Sequence, residues 1–346
     1  VYHKNSDYTI LNIGTRSERN HKEPTMLPTI YQQTETVTQT EQTYWRTYHS
    51  EALLARFDSL CRVYKVPSTS VNIHVDAYER PEQDAPVLIF NHGGGGYSRL
   101  FIPLALTLYD RGYTVLCPDQ RGQGLSEGNR SDFTLSQFVQ NIVDVAHWAR
   151  AKYQGKLYLA GGSLGGGLTY KAAAAGAPVA AIVCHNLYDF GNARDTLAVS
   201  RFAPLADLPG VASLFASITR SFANVLPNLR LPYRLLGRFD KMVDERAVSF
   251  YAQWLADPLP IRRISLRYMA STFSTPPAIP LQENRIPVLV INQTRDQMVS
   301  PAVTKRNYDK LGGPKQYAEI DYGHWALGAG FEEEWSGIVD RFLQQF

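Results

Sequence analysis

Two hydrophobic periodicities alternate along the chain, and their order carries the first prediction. Val71-Asn72-Ile73-His74-Val75 alternates apolar and polar residues as a half-buried strand does, whereas Val87-Leu88-Ile89-Phe90 is a continuous apolar run suited to a strand covered on both faces. Runs of the second kind recur at Tyr113–Cys117, Leu157–Ala160, Val179–Cys184 and Pro287–Asn292, with Tyr317–Ile320 as a last strand. Between them, the stretch from about Leu135 to Ala151 sets Leu135, Phe138, Val139, Ile142 and Ala146 on one helical face, and Thr134 with Gln137 forms a capping box at its start. Earlier, Trp45, Tyr48, Leu53, Phe57 and Leu60 predict one or two amphipathic helices between Tyr44 and Leu60. Strands alternating with helices predict an α/β protein with a mostly parallel central sheet, helices on both faces and right-handed crossovers. Ligands of such sheets bind beyond the carboxyl ends of the strands.

The pattern is interrupted twice. Residues 1–43 are rich in Thr, Gln, Glu and Asn and read as a polar arm, held either by the body of its own chain or by a neighbouring subunit. A monomer and an arm-mediated homodimer are both compatible with it. Residues 190–284 show no convincing strand. There Leu205, Leu208, Leu214, Phe215, Phe222, Leu226, Phe239, Phe250, Trp254, Leu255, Tyr268 and Phe273 are interleaved with Arg and Pro, which predicts an inserted helical cap. The core is then split into 44–189 and 285–346.

Composition narrows the class without changing this picture. Apolar residues make up 44% and charged residues 19% of the 346, ordinary for a chain that buries a substantial core, and the formal charge of +3 comes without a dense Lys/Arg run. Nucleic acid is therefore not an expected partner. No run approaches the ~18 apolar residues of a membrane span, so no integral membrane segment is expected. The opening residues lack the pattern of a signal peptide, which points to the cytoplasm, with a removed leader left open. Cys61, Cys117 and Cys184 read as reduced core residues.

Chemistry enters at Gly161-Gly162-Ser163-Leu164-Gly165, a G-x-S-x-G sequence between a strand and a helix-forming run. A serine on such a turn is exposed at the sheet edge, and glycines leave room for a strained backbone. Serine needs a base, and the base needs a carboxylate; in this chain order the acid lies between the serine and the histidine. His324 follows the last strand, and Asp296 follows the strand beginning at Pro287, with Asp189 as the alternative acid. His92, His147 and His185 read as structural or pocket-lining residues. Asn91-His92-Gly93-Gly94-Gly95-Gly96-Tyr97 directly follows a strand, so the N–H of Gly94, with Gly95 as an alternative, is one candidate donor for an oxyanion and the N–H of Leu164 the other. Gly95, Tyr97, His185 and Asp189 are candidate substrate-binding residues. No metal or organic cofactor is expected.

Cys117-Pro118-Asp119-Gln120-Arg121-Gly122-Gln123-Gly124-Leu125-Ser126, with the His92-Gly93 turn before it and the Ser163 turn after it, resembles the monoacylglycerol lipase and lysophospholipase-like branch of the α/β-hydrolases. The likeness runs from about Val71 to the C-terminus. It implies an α/β-hydrolase fold and treats Asp119 and Arg121 as structural. Four glycines after His92 are closer to the hormone-sensitive-lipase group, and Gln123 stands where the branch usually has a histidine. The combined expectation is a serine hydrolase acting on a small-molecule carboxylic ester with an acyl or aromatic acyl group, using Ser163, Asp296 and His324. Amide hydrolysis and acyl transfer by the same residues remain alternatives, as does a non-catalytic binding protein on this fold.

Overall fold

The computed structural model describes residues 41–244, 248–328 and 330–346. The polar arm expected over 1–43 lies, up to residue 40, outside the described residues. Glu41–Tyr48 forms a 3-10 helix and α1 (Glu51–Leu60) follows, giving the two short helices expected before Leu60. The next elements are β1 (Cys61–Ser68), β2 (Val71–Tyr78), β3 (Val87–Asn91), α2 (Ile102–Asp110), β4 (Thr114–Pro118), α3 (Leu135–Lys152), β5 (Leu157–Gly162), α4 (Leu164–Ala174) and β6 (Ala181–His185). After them come α5 (Ala193–Ala198), α6 (Val211–Val225), β7 (Arg230–Pro232), α7 (Val248–Ala256), β8 (Arg263–Ser265) and α8 (Leu266–Thr272). The chain then returns through β9 (Val288–Gln293), α9 (Pro301–Lys310), β10 (Lys315–Ile320) and α10 (Phe331–Leu343).

Eight strands form one sheet in the order β1-β2-β4-β3-β5-β6-β9-β10. From β4 to β10 all neighbours are parallel, while β2 is antiparallel to both β1 and β4. The continuous apolar runs serve two layers at once, because successive side chains leave opposite faces of a strand. Ile89, Leu159, Ile182 and Val290 pack with Phe138, Ile142 and Leu168 of α3 and α4 on one face. Leu88, Tyr158, Val183 and Leu289 pack with Leu104, Leu108, Trp335 and Phe342 of α2 and α10 on the other. The capping box of α3 forms as read: Gln137 N–H donates to Thr134 Oγ1 at 3.3 Å, and Thr134 N–H donates to Gln137 Oε1 at 2.9 Å.

Three details differ from the sequence reading. Strand β1 was not anticipated; it is an edge strand whose Arg62, Lys65 and Pro67 hide the alternation, as edge strands that resist further pairing do. Cys61 starts that strand and is only partly buried, unlike Cys117 and Cys184, and all three are free thiols. Within 190–284, β7 and β8 form a two-stranded antiparallel ribbon of three residues each, too short to leave a periodic signal. Of the apolar residues in that stretch, Phe239, Trp254 and Tyr268 are buried, whereas Leu214, Phe222 and Leu226 face solvent. Among the described residues no helix is long and apolar enough to cross a membrane.

Thr134→Ala removes the side-chain half of the capping box at a position remote from Ser163. Unfolding by urea should show a stability loss of about 1 kcal/mol with the cooperativity unchanged.

Candidate active site

Ser163 occupies the single residue between β5 and α4, with φ 57° and ψ −123°. A side chain adopts such a φ only under constraint. The constraint is local: Ser163 N–H donates to the His185 carbonyl at 3.0 Å, and the Ser163 carbonyl accepts from Gly166 N–H at 3.0 Å. A Cβ on Gly165 would overlap the Asn91 carbonyl, and one on Gly166 would overlap the His185 carbonyl. The glycines thus let α4 enter between the ends of β3 and β6, and every residue of α4 is buried.

Asp296 lies on the turn after β9, 4% exposed. Its Oδ1 accepts the backbone N–H groups of Met298 and Val299, both at 2.8 Å. Its Oδ2 accepts Asn186 Nδ2 at 3.1 Å and lies 2.6 Å from His324 Nδ1. An ionised carboxylate can only accept, so this pairing puts the imidazole proton on Nδ1 and leaves Nε2 as an acceptor. The loop after β10 that carries His324 is tied on both flanks. Gly323 N–H donates to Asp244 Oδ2 at 2.5 Å, and Gln293 Nε2 donates to the Gly323 carbonyl at 2.6 Å. Trp325 N–H donates to the Met242 carbonyl at 2.7 Å, and Asp244 N–H to the Trp325 carbonyl at 2.9 Å.

The glycine turn after β3 lies directly against the serine, since a Cβ on Gly93 would be 3.1 Å from Ser163 Cβ. Gly96 N–H closes the turn on the Gly93 carbonyl at 3.1 Å, and Gly95 has φ 74°. His92 anchors its base: Nδ1 donates to the Gly93 carbonyl at 2.9 Å and Nε2 accepts Gln120 N–H at 3.0 Å. Burial holds its pKa below the ordinary histidine value, consistent with a neutral structural ring.

Two cavities meet at Ser163 and Gly94. The smaller, about 60 Å³, is bounded by Phe101, Met242, Trp254, Trp325 and Phe331 and also contains His324 and His185. The larger, about 260 Å³, runs past Leu164 to Phe190, Leu197, Val199, Phe215 and Ile218. Both owe walls to residues 190–284. Ser163 and His324 line the smaller cavity together without a hydrogen bond between them in this conformation, and Tyr188 shares the larger cavity with Ser163.

The remaining candidates separate. Gly95 lines the smaller cavity, and its carbonyl accepts Trp254 Nε1 at 2.9 Å. His185 also lines it, with Nδ1 accepting Trp335 Nε1 at 3.0 Å. Tyr97 and Asp189 line neither cavity. Tyr97 is fully buried and donates its hydroxyl proton to Asp257 Oδ2 at 2.6 Å. Asp189 pairs with Lys171 Nζ at 2.9 Å, where burial raises the carboxyl pKa and lowers that of the ammonium. Both follow a strand and so fit the pattern of a site residue, but their side chains turn into the body of the protein. The sequence reading missed Asn186, which has φ 57° and holds Asp296, and it missed the tyrosines 188 and 233 beside Ser163. Asn186 had a positional signal, one residue past an apolar strand; Tyr233 had none.

A parallel sheet with a strained serine turn at its carboxyl edge, facing a histidine and carboxylate from later strands, is the architecture of the α/β hydrolases. The profile described as the alpha/beta hydrolase fold matches residues 86–330, and the chain belongs to that family. Among curated proteins it is similar to an uncharacterised 31.7 kDa protein of the traX-finO intergenic region of Escherichia coli, 23% identical over 71% of this chain and 86% of that one. Among solved structures it is similar in fold to the monoacylglycerol lipase of Paleococcus ferrophilus, with TM-score 0.61, 19% identity, and 79% of this chain and 98% of that chain covered. It is also similar to a soluble variant of monoglyceride lipase from Saccharomyces cerevisiae in complex with a substrate analogue, with TM-score 0.63, 14% identity, and 83% and 96% covered.

Burial lowers His185 from 6.5 to about 4. The unfolded chain therefore binds a proton that the folded one refuses between those values, so folding stability should fall as pH drops from about 6.5 towards 4. His185→Gln should remove up to one proton from that pH dependence, read as the difference between the urea-unfolding profiles of the two proteins.

Proposed function

We propose that this chain is a serine hydrolase that cleaves a carboxylic ester through an acyl-enzyme. The observation that carries the proposal is the 2.6 Å contact between His324 Nδ1 and the buried Asp296 carboxylate, on a loop that shares a cavity with Ser163. As substrate enters, Ser163 Oγ attacks the carbonyl carbon and His324 Nε2 takes its proton. Asp296 holds the imidazole by its Nδ1 proton and stabilises the charge that forms. The carbonyl oxygen becomes an anion in reach of the N–H groups of Gly94 and Leu164, the second at the N-terminus of a buried helix. His324 then protonates the leaving alcohol, and water, activated by the same imidazole, releases the acid and restores Ser163.

Residues 190–284 act in this reading as a cap that closes both cavities over the serine. The larger, apolar cavity suits an aliphatic or aromatic acyl group, and the smaller one suits the leaving group. The likeness in fold to two monoacylglycerol lipases supports an ester of this kind.

A fluorophosphonate probe should label the protein, and Ser163→Ala should abolish the label. Asp296→Asn should lower turnover of a matched ester by roughly 10⁴-fold, the scale seen when the acid of such a triad becomes an amide, while Asp189→Asn should leave turnover close to wild type. Equal labelling of Ser163→Ala removes the nucleophile assignment. A larger loss in Asp189→Asn transfers the role of the acid.

A further inference from the structure

We infer that Tyr233 is a further catalytic residue: its hydroxyl, seated against Gly94 in the cavity that contains Ser163, donates a third hydrogen bond to the oxyanion. This rests on the serine-hydrolase reading and deepens it. A Cβ on Gly94 would lie 2.6 Å from Tyr233 Oη, so the phenol fills the space that any other residue at position 94 would occupy. Tyr233 lines the larger cavity together with Gly94, Ser163 and Leu164, the residues between which the carbonyl oxygen of a bound ester must sit.

Its position is fixed from two directions. The backbone N–H of Tyr233 donates to the Arg262 carbonyl at 2.9 Å, at the end of the β7–β8 ribbon. The ring stands edge-on to Phe239, with centroids 4.8 Å apart at 69°. Phe239 in turn stacks on Trp254 at 5.3 Å, and Trp254 Nε1 holds the Gly95 carbonyl at 2.9 Å. The ribbon that carries Tyr233 and the turn that carries Gly94 are therefore braced as one unit.

The proton of Tyr233 is available for donation. The neighbouring Tyr268 side chain favours the ionised form of Tyr233, but burial outweighs it. Burial pushes Tyr233 up to about 12, so it stays protonated wherever an esterase is assayed, and it acts as a donor rather than as a base. A hydroxyl held in a largely apolar cavity meets an oxyanion without first shedding water, which is where such a bond contributes most.

Tyr233→Phe keeps the ring and removes only the donor. Expected is a fall in kcat of about 10²-fold with KM little changed, the pattern of a bond made in the transition state. The loss should be constant between about pH 6 and pH 9, because Tyr233 does not titrate there. Inactivation by a fluorophosphonate, whose phosphoryl oxygen occupies the same place, should slow in parallel. Tyr268→Phe leaves the donor and removes the hydroxyl of a residue that shares its cavity and its electrostatics, so the same split should appear on a smaller scale; this variant carries the test should Tyr233→Phe fail to fold. Wild-type kcat in the folded variants, or a loss confined to KM, overturns the assignment of Tyr233, and so does a loss that appears only on one side of a pKa. Such results in an enzyme still labelled at Ser163 sink this inference alone. An unlabelled wild type, or a labelled Ser163→Ala, sinks the serine-hydrolase reading instead.

Discussion

The left-handed backbone of Ser163 is the constraint on which the rest of the site depends. A non-glycine residue in that region costs about 1–3 kcal/mol and persists only where its surroundings over-determine it. Here β3, β5 and β6 bring their carboxyl ends together around an entirely buried helix, and at Gly161, Gly165 and Gly166 a side chain would overlap neighbouring backbone carbonyls. The strain is thus sustained by the core and expressed at the edge. Its product is a short polar side chain that stands clear of both strand and helix, with the first N–H groups of α4 behind it.

Histidine and acid are placed by a second set of constraints that converges on the same edge. Asn186, itself at a positive φ just beyond β6, reaches across to Asp296 after β9, and Asp296 reaches His324 after β10. Three adjacent strand ends are so joined by side chains. Gln293 and Asp244 then hold the backbone of Gly323, so the imidazole has little freedom left. Because Asp244 and Met242 belong to the 190–284 stretch, that stretch is coupled to the histidine as well as to the cavities it encloses. A displacement of the one is felt by the other.

What could be read in the sequence follows from how local its cause is. Strand–helix alternation, the Thr134–Gln137 box and the serine turn are each determined by residues a few positions apart, and each is found where the pattern put it. The chain order Ser163, Asp296, His324 could be read because strand ends are countable. Tyr97 and Asp189 mark the boundary of that method: it predicts that a residue lies near the edge but not which way its side chain turns. Asp257 draws Tyr97 inward and Lys171 draws Asp189, and both partners are distant in sequence. Strand β1 was hidden by the charges and proline that protect an edge. Tyr188 and Tyr233 were invisible because their meaning comes only from the glycine and serine they face.

The tyrosines also explain why one cavity can serve two unlike demands. Its far end, at Leu197, Val199, Phe215 and Ile218 with Thr196, Ser200 and Thr219 among them, is mainly apolar, and apolar surface favours burial of a chain or ring by about 25 cal/mol for each Å² removed from water. Its near end sets Tyr233 against Gly94 beside Ser163, and Tyr188 and Tyr268 line the same cavity. A substrate whose polarity is confined to the bond being cleaved satisfies both ends at once. A substrate with polar groups along its acyl part would find few partners at the far end, and each group left unpaired costs about 1–3 kcal/mol. In the proposed serine-hydrolase reading, selectivity follows from the separation of hydroxyl and apolar walls along one cavity, with the oxyanion site at their border.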